Sequence, residues 1–133
     1  MEDYIYKYET EVRDYECDLQ GVVNNSVYQN YLEHTRHQYL KSINIDFAEL
    51  AEKGIFLMVK RVEIDYQRPL RSGDEFISVL RMERISALRF GFVQHIYRKS
   101  DEKLMVKALV IGTSVNKRGR PELPEELINV WGI

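Results

Sequence analysis

The sequence predicts an α+β fold in which an antiparallel five-stranded sheet wraps one long helix. Three observations carry this. Tyr28, Tyr31, Leu32, Thr35 and Tyr39 fall at the i, i+3, i+4, i+7 and i+11 spacing of one helical face. Everything from Ile55 to Val115 has strand character, with period-two alternation or short apolar runs broken by polar turns. No second helix is long enough to cover the first, so its apolar stripe has to pack on the sheet.

The elements follow in order. Residues Ile5 to Arg13 alternate Ile, Lys, Glu, Glu with Tyr, Tyr, Thr, Val, the pattern of a strand with one covered face. A loop from Asp14 to Asn25 leads to a helix over Ser26–Leu40, for which Ser26 with Gln29 offers a capping box and Asn24 or Asn25 an alternative cap. "DFAELAEKG" predicts a short second helix, capped by Asp46 and stopped by Gly54. "RVEIDYQ", "FISVLRME", "RFGFVQHIY" and "LMVKALVIGTSV" predict four more strands, the last apolar enough to lie inside the sheet. A turn at "NKRGRP" and a short helix opening at Pro124 close the chain.

At 133 residues the sequence suits one domain over residues 1–133, with 44% hydrophobic and 30% charged residues as in a globular protein. A net charge of −2 provides no basic excess for a general nucleic-acid or membrane-surface binder. No run approaches the roughly 18 apolar residues of a membrane span, and the opening "MEDYIYKYET" is not that of a secretory signal, so the cytoplasm is the expected location. Cys17 is the only cysteine, which excludes an internal disulfide. The three histidines, at 34, 37 and 95, have no zinc spacing, so neither a metal nor another cofactor is expected.

The chemistry concentrates in "DLQGVVNNSVYQNYLE". A helix start exposes N–H groups without intrahelical partners and carries roughly half a positive charge, so it can polarise a carbonyl oxygen. Asp18 lies a short loop ahead of that start, with Gly21 free to turn the chain between them. A carboxylate and an amide converging on one space would suit acyl transfer. The same spacing also suits a solvated turn former.

The run "YECDLQGVVNNSVYQNYLE" resembles the signature of the hot-dog-fold acyl-CoA thioesterases of the 4-hydroxybenzoyl-CoA thioesterase type. Asp18, Gly21, Val22, Val23, Asn24, Asn25, Tyr28, Tyr31 and Glu33 match. The likeness continues through "VEIDYQRPLRSGDEF" and "GRPELPEEL" and covers nearly the whole chain. It implies a hot-dog fold and hydrolysis of an acyl-CoA to a free acid and CoA. Asp18 would be nucleophile or general base, and the amide near Asn25 would hold the thioester oxygen. It also implies chains paired edge to edge in a homodimer or homotetramer, with active sites at the dimer interface. Gly21, Val23 and Asn24 would line the site, and Tyr28 the acyl pocket. Cys17 departs from the pattern, since many relatives carry Thr before the Asp.

Phosphates on CoA need local cations. Arg89 at one turn, and Lys117, Arg118 and Arg120 at another, are the candidates. An acyl-carrier-protein thioesterase is the alternative, with Arg61, Arg68 and Arg71 as a docking patch; a non-catalytic acyl-thioester binder is the third reading. Glu33 is expected to hydrogen-bond or touch the partner chain, with a second catalytic acid as its alternative role, His34 and His37 to lie at the surface or an interface, and His95 to be a satisfied, partly buried strand residue.

Overall fold

A computed structural model describes residues 3–133. The elements run β1 (Tyr6–Glu11), a 3-10 turn (Asp14–Glu16), α1 (Asn25–Ser42), α2 (Phe47–Glu52), β2 (Phe56–Tyr66), β3 (Glu75–Arg84), β4 (Phe90–Arg98), β5 (Leu104–Val115) and α3 (Glu125–Trp131). The five strands form one antiparallel sheet in the order β1-β3-β4-β5-β2. The hot-dog architecture expected from the sequence is therefore present.

The predicted stripe of α1 is its buried face: Tyr28, Tyr31, Leu32, Thr35 and Tyr39 are covered, with Leu40 added. They meet Phe76, Leu80, Ile96, Val106, Ala108 and Val110, whose side chains point inward from the concave side of the sheet. Each such large side chain removed from water contributes roughly 1.5–3 kcal/mol, so the stripe outweighs the weak helix preference of its tyrosines. Polar contacts cross this interface as well, Gln94 Nε2 donating to the Leu32 carbonyl at 3.0 Å among them. The Thr35 hydroxyl lies 2.7 Å from the Ser78 hydroxyl and also donates to the Tyr31 carbonyl at 2.8 Å.

Helix ends refine the expectations. Asn24 caps α1, its Oδ1 accepting from Ser26 N at 3.1 Å and from the Ser26 hydroxyl at 3.0 Å. Ser26 is thus spent as a donor, and the Ser26–Gln29 capping box does not form. Asp46 caps α2 as predicted, accepting from Ala48 N at 3.0 Å. Gly54 ends it at φ +79°, a conformation that suits glycine. Pro124 is the cap of α3 rather than its first residue.

β2 is longer than its alternating segment, because "FLMV" joins it ahead of a register shift between Val59 and Arg61. It pairs with β5, not with β3, and so forms one edge of the sheet. The chain must then cross the open end of the sheet to reach β3. It does so through residues 67–74, where Gln67 N and Arg68 N donate to Met105 O and Gly73 N donates to Val12 O. This crossover supports the functional loop.

Candidate active site

Asp18 begins a tight hairpin. Gly21 N donates to Asp18 O at 3.0 Å, and Asp18 N donates to Val22 O at 2.9 Å. Gly21 takes φ +77°, the left-handed conformation that ends such a three-residue loop. Cys17 bridges to Val23, so the arm carrying Asp18 lies beside the arm that runs straight into α1. The crossover fixes the hairpin from outside: Val22 bridges to Arg71, and Val23 N donates to Leu70 O at 2.9 Å. Within the turn, Asp18 Oδ1 accepts from Gln20 N at 2.8 Å and from Val22 N at 3.4 Å. One carboxylate oxygen is therefore held by backbone amides, while the residue is exposed.

At the helix start the donors divide. Ser26 N goes to the Asn24 side chain and Val27 N to Asn24 O at 2.9 Å. The Asn25 N–H has no acceptor among the described residues. A free amide at the positive end of an 18-residue helix, one hairpin from an oriented carboxylate, can hold a carbonyl oxygen while the acid attacks or deprotonates a water. The Asn25 carbonyl is approached by the Tyr66 hydroxyl at 3.4 Å, which places the helix start beside the last residue of β2.

Val23 is buried, and Gly21 and Asn24 are exposed. Tyr28 is only 2% exposed, and its hydroxyl accepts from Leu70 N at 2.9 Å, so in the single chain it tethers the crossover within the core. Cys17 is half-buried; burial first, then Asp14, Asp18 and Glu16, push its thiol pKa up, which disfavours the thiolate. Glu33 is exposed, His34 Nε2 lies 3.2 Å from the Tyr8 hydroxyl, and the His37 ring packs edge-on against Phe47 at 5.2 Å.

The candidate cations are not beside Asp18 within one chain. β5 begins at Leu104, near the crossover, and ends at Val115, where Phe56 pairs with it and the Asn116–Arg120 turn follows. Arg89 lies in the β3–β4 turn at that same far end. A 12-residue strand spans roughly 40 Å, so Arg89, Arg118 and Arg120 sit across the sheet's length from Asp18. Lys53, Lys117 and Arg118 line a groove of about 500 Å³ there. Arg71, in the crossover, bridges to Val22 of the hairpin, with Arg68 in the same segment and Arg13 at the hairpin's base.

Sequence reasoning missed Arg36, Gln94 and Tyr66. Arg36 Nη1 donates to Gln94 Oε1 at 3.0 Å, and its guanidinium lies 5.8 Å over the Phe92 ring. Burial pulls the guanidinium pKa down, opposed by the nearby charge of Glu33. Only the helical spacing from Glu33 could have hinted at it. None of the helices of the described residues is long and apolar enough to cross a membrane.

Residues 12–130 match the model of the thioesterase-like superfamily, and the chain belongs to that superfamily. The chain is 38% identical to the acyl-acyl carrier protein thioesterase ATL3, chloroplastic, of Arabidopsis thaliana over 116 residues, 87% of this chain and 61% of that protein. It is 34% identical to ATL2 of the same plant over 128 residues, 96% of this chain and 68% of ATL2. The chain thus spans about two thirds of the length of these relatives. Among solved structures, Slr0204, a 1,4-dihydroxy-2-naphthoyl-CoA thioesterase from Synechocystis, superposes with a TM-score of 0.88. At 20% identity, over 96% of this chain and 95% of that one, this likeness concerns the fold.

Proposed function

We propose that the chain hydrolyses acyl thioesters, with Asp18 as nucleophile or general base and the Asn25 amide holding the thioester oxygen. The observation that carries this reading is the pairing, in a member of the thioesterase-like superfamily, of an oriented carboxylate with an unpartnered helix-start amide. In the nucleophilic route Asp18 attacks the carbonyl carbon, the tetrahedral oxyanion rests on the Asn25 N–H, and thiolate leaves. Water then cleaves the mixed anhydride to the free acid. In the general-base route Asp18 takes a proton from the attacking water.

The working unit in this reading is a dimer made through β2. That edge strand exposes Phe56, Met58, Val59, Val62 and Tyr66, an apolar row unusual for a free edge. Antiparallel pairing of two β2 strands sets Tyr66 of one chain near Phe56 of the other. Each helix start then faces the far end of its partner, where Lys53, Lys117 and Arg118 line their groove. The dimer thus brings together the acid and the cations that one chain keeps apart, and Arg118 and Arg120 become the phosphate contacts for acyl-CoA. The reading takes residues 1–133 as a single domain acting in the cytoplasm.

A second carrier is favoured by a specific observation: ATL3 and ATL2 are named acyl-acyl carrier protein thioesterases. Arg68 and Arg71 beside the Asp18 hairpin would then meet an acidic carrier. Both carriers present the acyl group on a phosphopantetheine arm, so the site chemistry is the same. The test is thiol release from one acyl group presented on CoA and on carrier protein. Faster turnover on CoA supports the first carrier and faster turnover on the protein the second; no hydrolysis of either removes the thioesterase reading.

A further inference from the structure

A cavity of about 170 Å³ lies between α1, α2 and the concave side of β2, β4 and β5. Leu40, Phe47, Leu57, Phe90, Phe92 and Val110 make it largely apolar, and Glu33, Arg36 and His37 line it too. A dry apolar cavity of roughly 150 Å³ holds one benzene ring, so there is room for a ring or a short alkyl segment. Leu57, Met58 and Val59 belong to the edge strand β2, so in the dimer proposed above the cavity would lie beside the seam and the helix start of the second copy.

The cation in that wall is held by an amide and makes no direct ion pair among the described residues, although Glu33 lies in the same lining. Gln94 is fully buried, donates from Nε2 to Leu32 O at 3.0 Å, and presents Oε1 to Arg36. A guanidinium carries five N–H donors, and this contact uses one. Among the described residues Arg36 has no carboxylate within ion-pair distance. A largely buried cation without a direct ion pair costs stability, and an apolar side chain would fill the same place without that cost. Its orientation by a buried amide, over an aromatic face, is the arrangement expected of a group positioned to meet an incoming acceptor.

Resting on the thioesterase reading, we propose that Arg36 selects acyl groups that carry an acceptor oxygen at their far end, the remaining carbons filling the apolar cavity. Hydroxyl and carboxylate share the chemistry that would be recognised. The experiment measures kcat/KM by thiol release for pantetheine thioesters of four, six and eight carbons, each as plain alkyl, ω-hydroxy and ω-carboxy forms. In the wild type an oxygenated form is preferred at one length by about tenfold or more, the scale of one hydrogen bond to a charged group. Arg36→Met brings that ratio to about one. Arg36→Gln, which keeps a donor without the charge, retains part of a hydroxyl preference and loses a carboxylate preference; it carries the comparison if Arg36→Met does not fold. No oxygen preference at any length, or an equal loss for all three forms in the variants, overturns the proposal. Absence of turnover with every thioester defeats the thioesterase reading and the proposal with it.

Discussion

Asn24 and Ser26 show what one side chain decides at the helix start. The sequence offers two caps, and both satisfy local spacing rules. The structure takes Asn24 because its Oδ1 collects two donors from Ser26. That choice leaves the Asn25 N–H open. Asp18 and Gly21 were legible because their turn is built from neighbours in sequence. Arg36 was not, because its meaning depends on Gln94, 58 positions away. His95 makes the residue scale testable by pH. Burial, then Lys107 and Arg81, lower its pKa below the ordinary 6.5. The unfolded chain therefore binds the proton more readily, and the stability His95 confers is complete above pH 6.5 and lost as pH falls below it. Thermal unfolding between pH 4.5 and 8 should show a steeper acid-side decline for the wild type than for His95→Gln; parallel curves would contradict the assignment.

At the scale of elements, the helix and the strands could be read from periodicity or apolar runs, although the "FLMV" start of β2 lay outside its alternating segment. The pairing order could not. β2 precedes β3 in sequence yet lies at the opposite side of the sheet from it, joined by a crossover whose hydrogen bonds go to Val12, Val23 and Met105. The same topology exposes the apolar row of β2. If that row is a dimer seam, Val62→Asp places a charge in it. Size-exclusion chromatography with light scattering should then show smaller particles, and thiol release should fall with the dimer, while circular dichroism keeps the α+β signature. A monomeric wild type with full activity would rule the seam out.

For the whole molecule, the arrangement matters more than any single contact. One chain separates Asp18 from Arg118 and Arg120 by the length of the sheet, and the proposed dimer reunites them. Replacing Arg118 and Arg120 together by Ala should raise KM for acyl-CoA several-fold. Pantetheine thioesters, which lack the nucleotide phosphates, should be unaffected. Equal effects on both would remove these residues from the substrate's path. The motif around Asp18 made the superfamily legible in the sequence, whereas the proposed reach of the substrate depends on long-range pairing.

The most direct measurement is thiol release by Asp18→Asn beside the wild type, with equal folding verified by thermal unfolding. Asparagine keeps the turn's acceptor oxygen but can neither attack nor take the proton. The account predicts hydrolysis by the wild type and a loss of about a hundredfold or more in kcat for the variant, the usual scale of a positioned base. Undiminished hydrolysis by Asp18→Asn would contradict it.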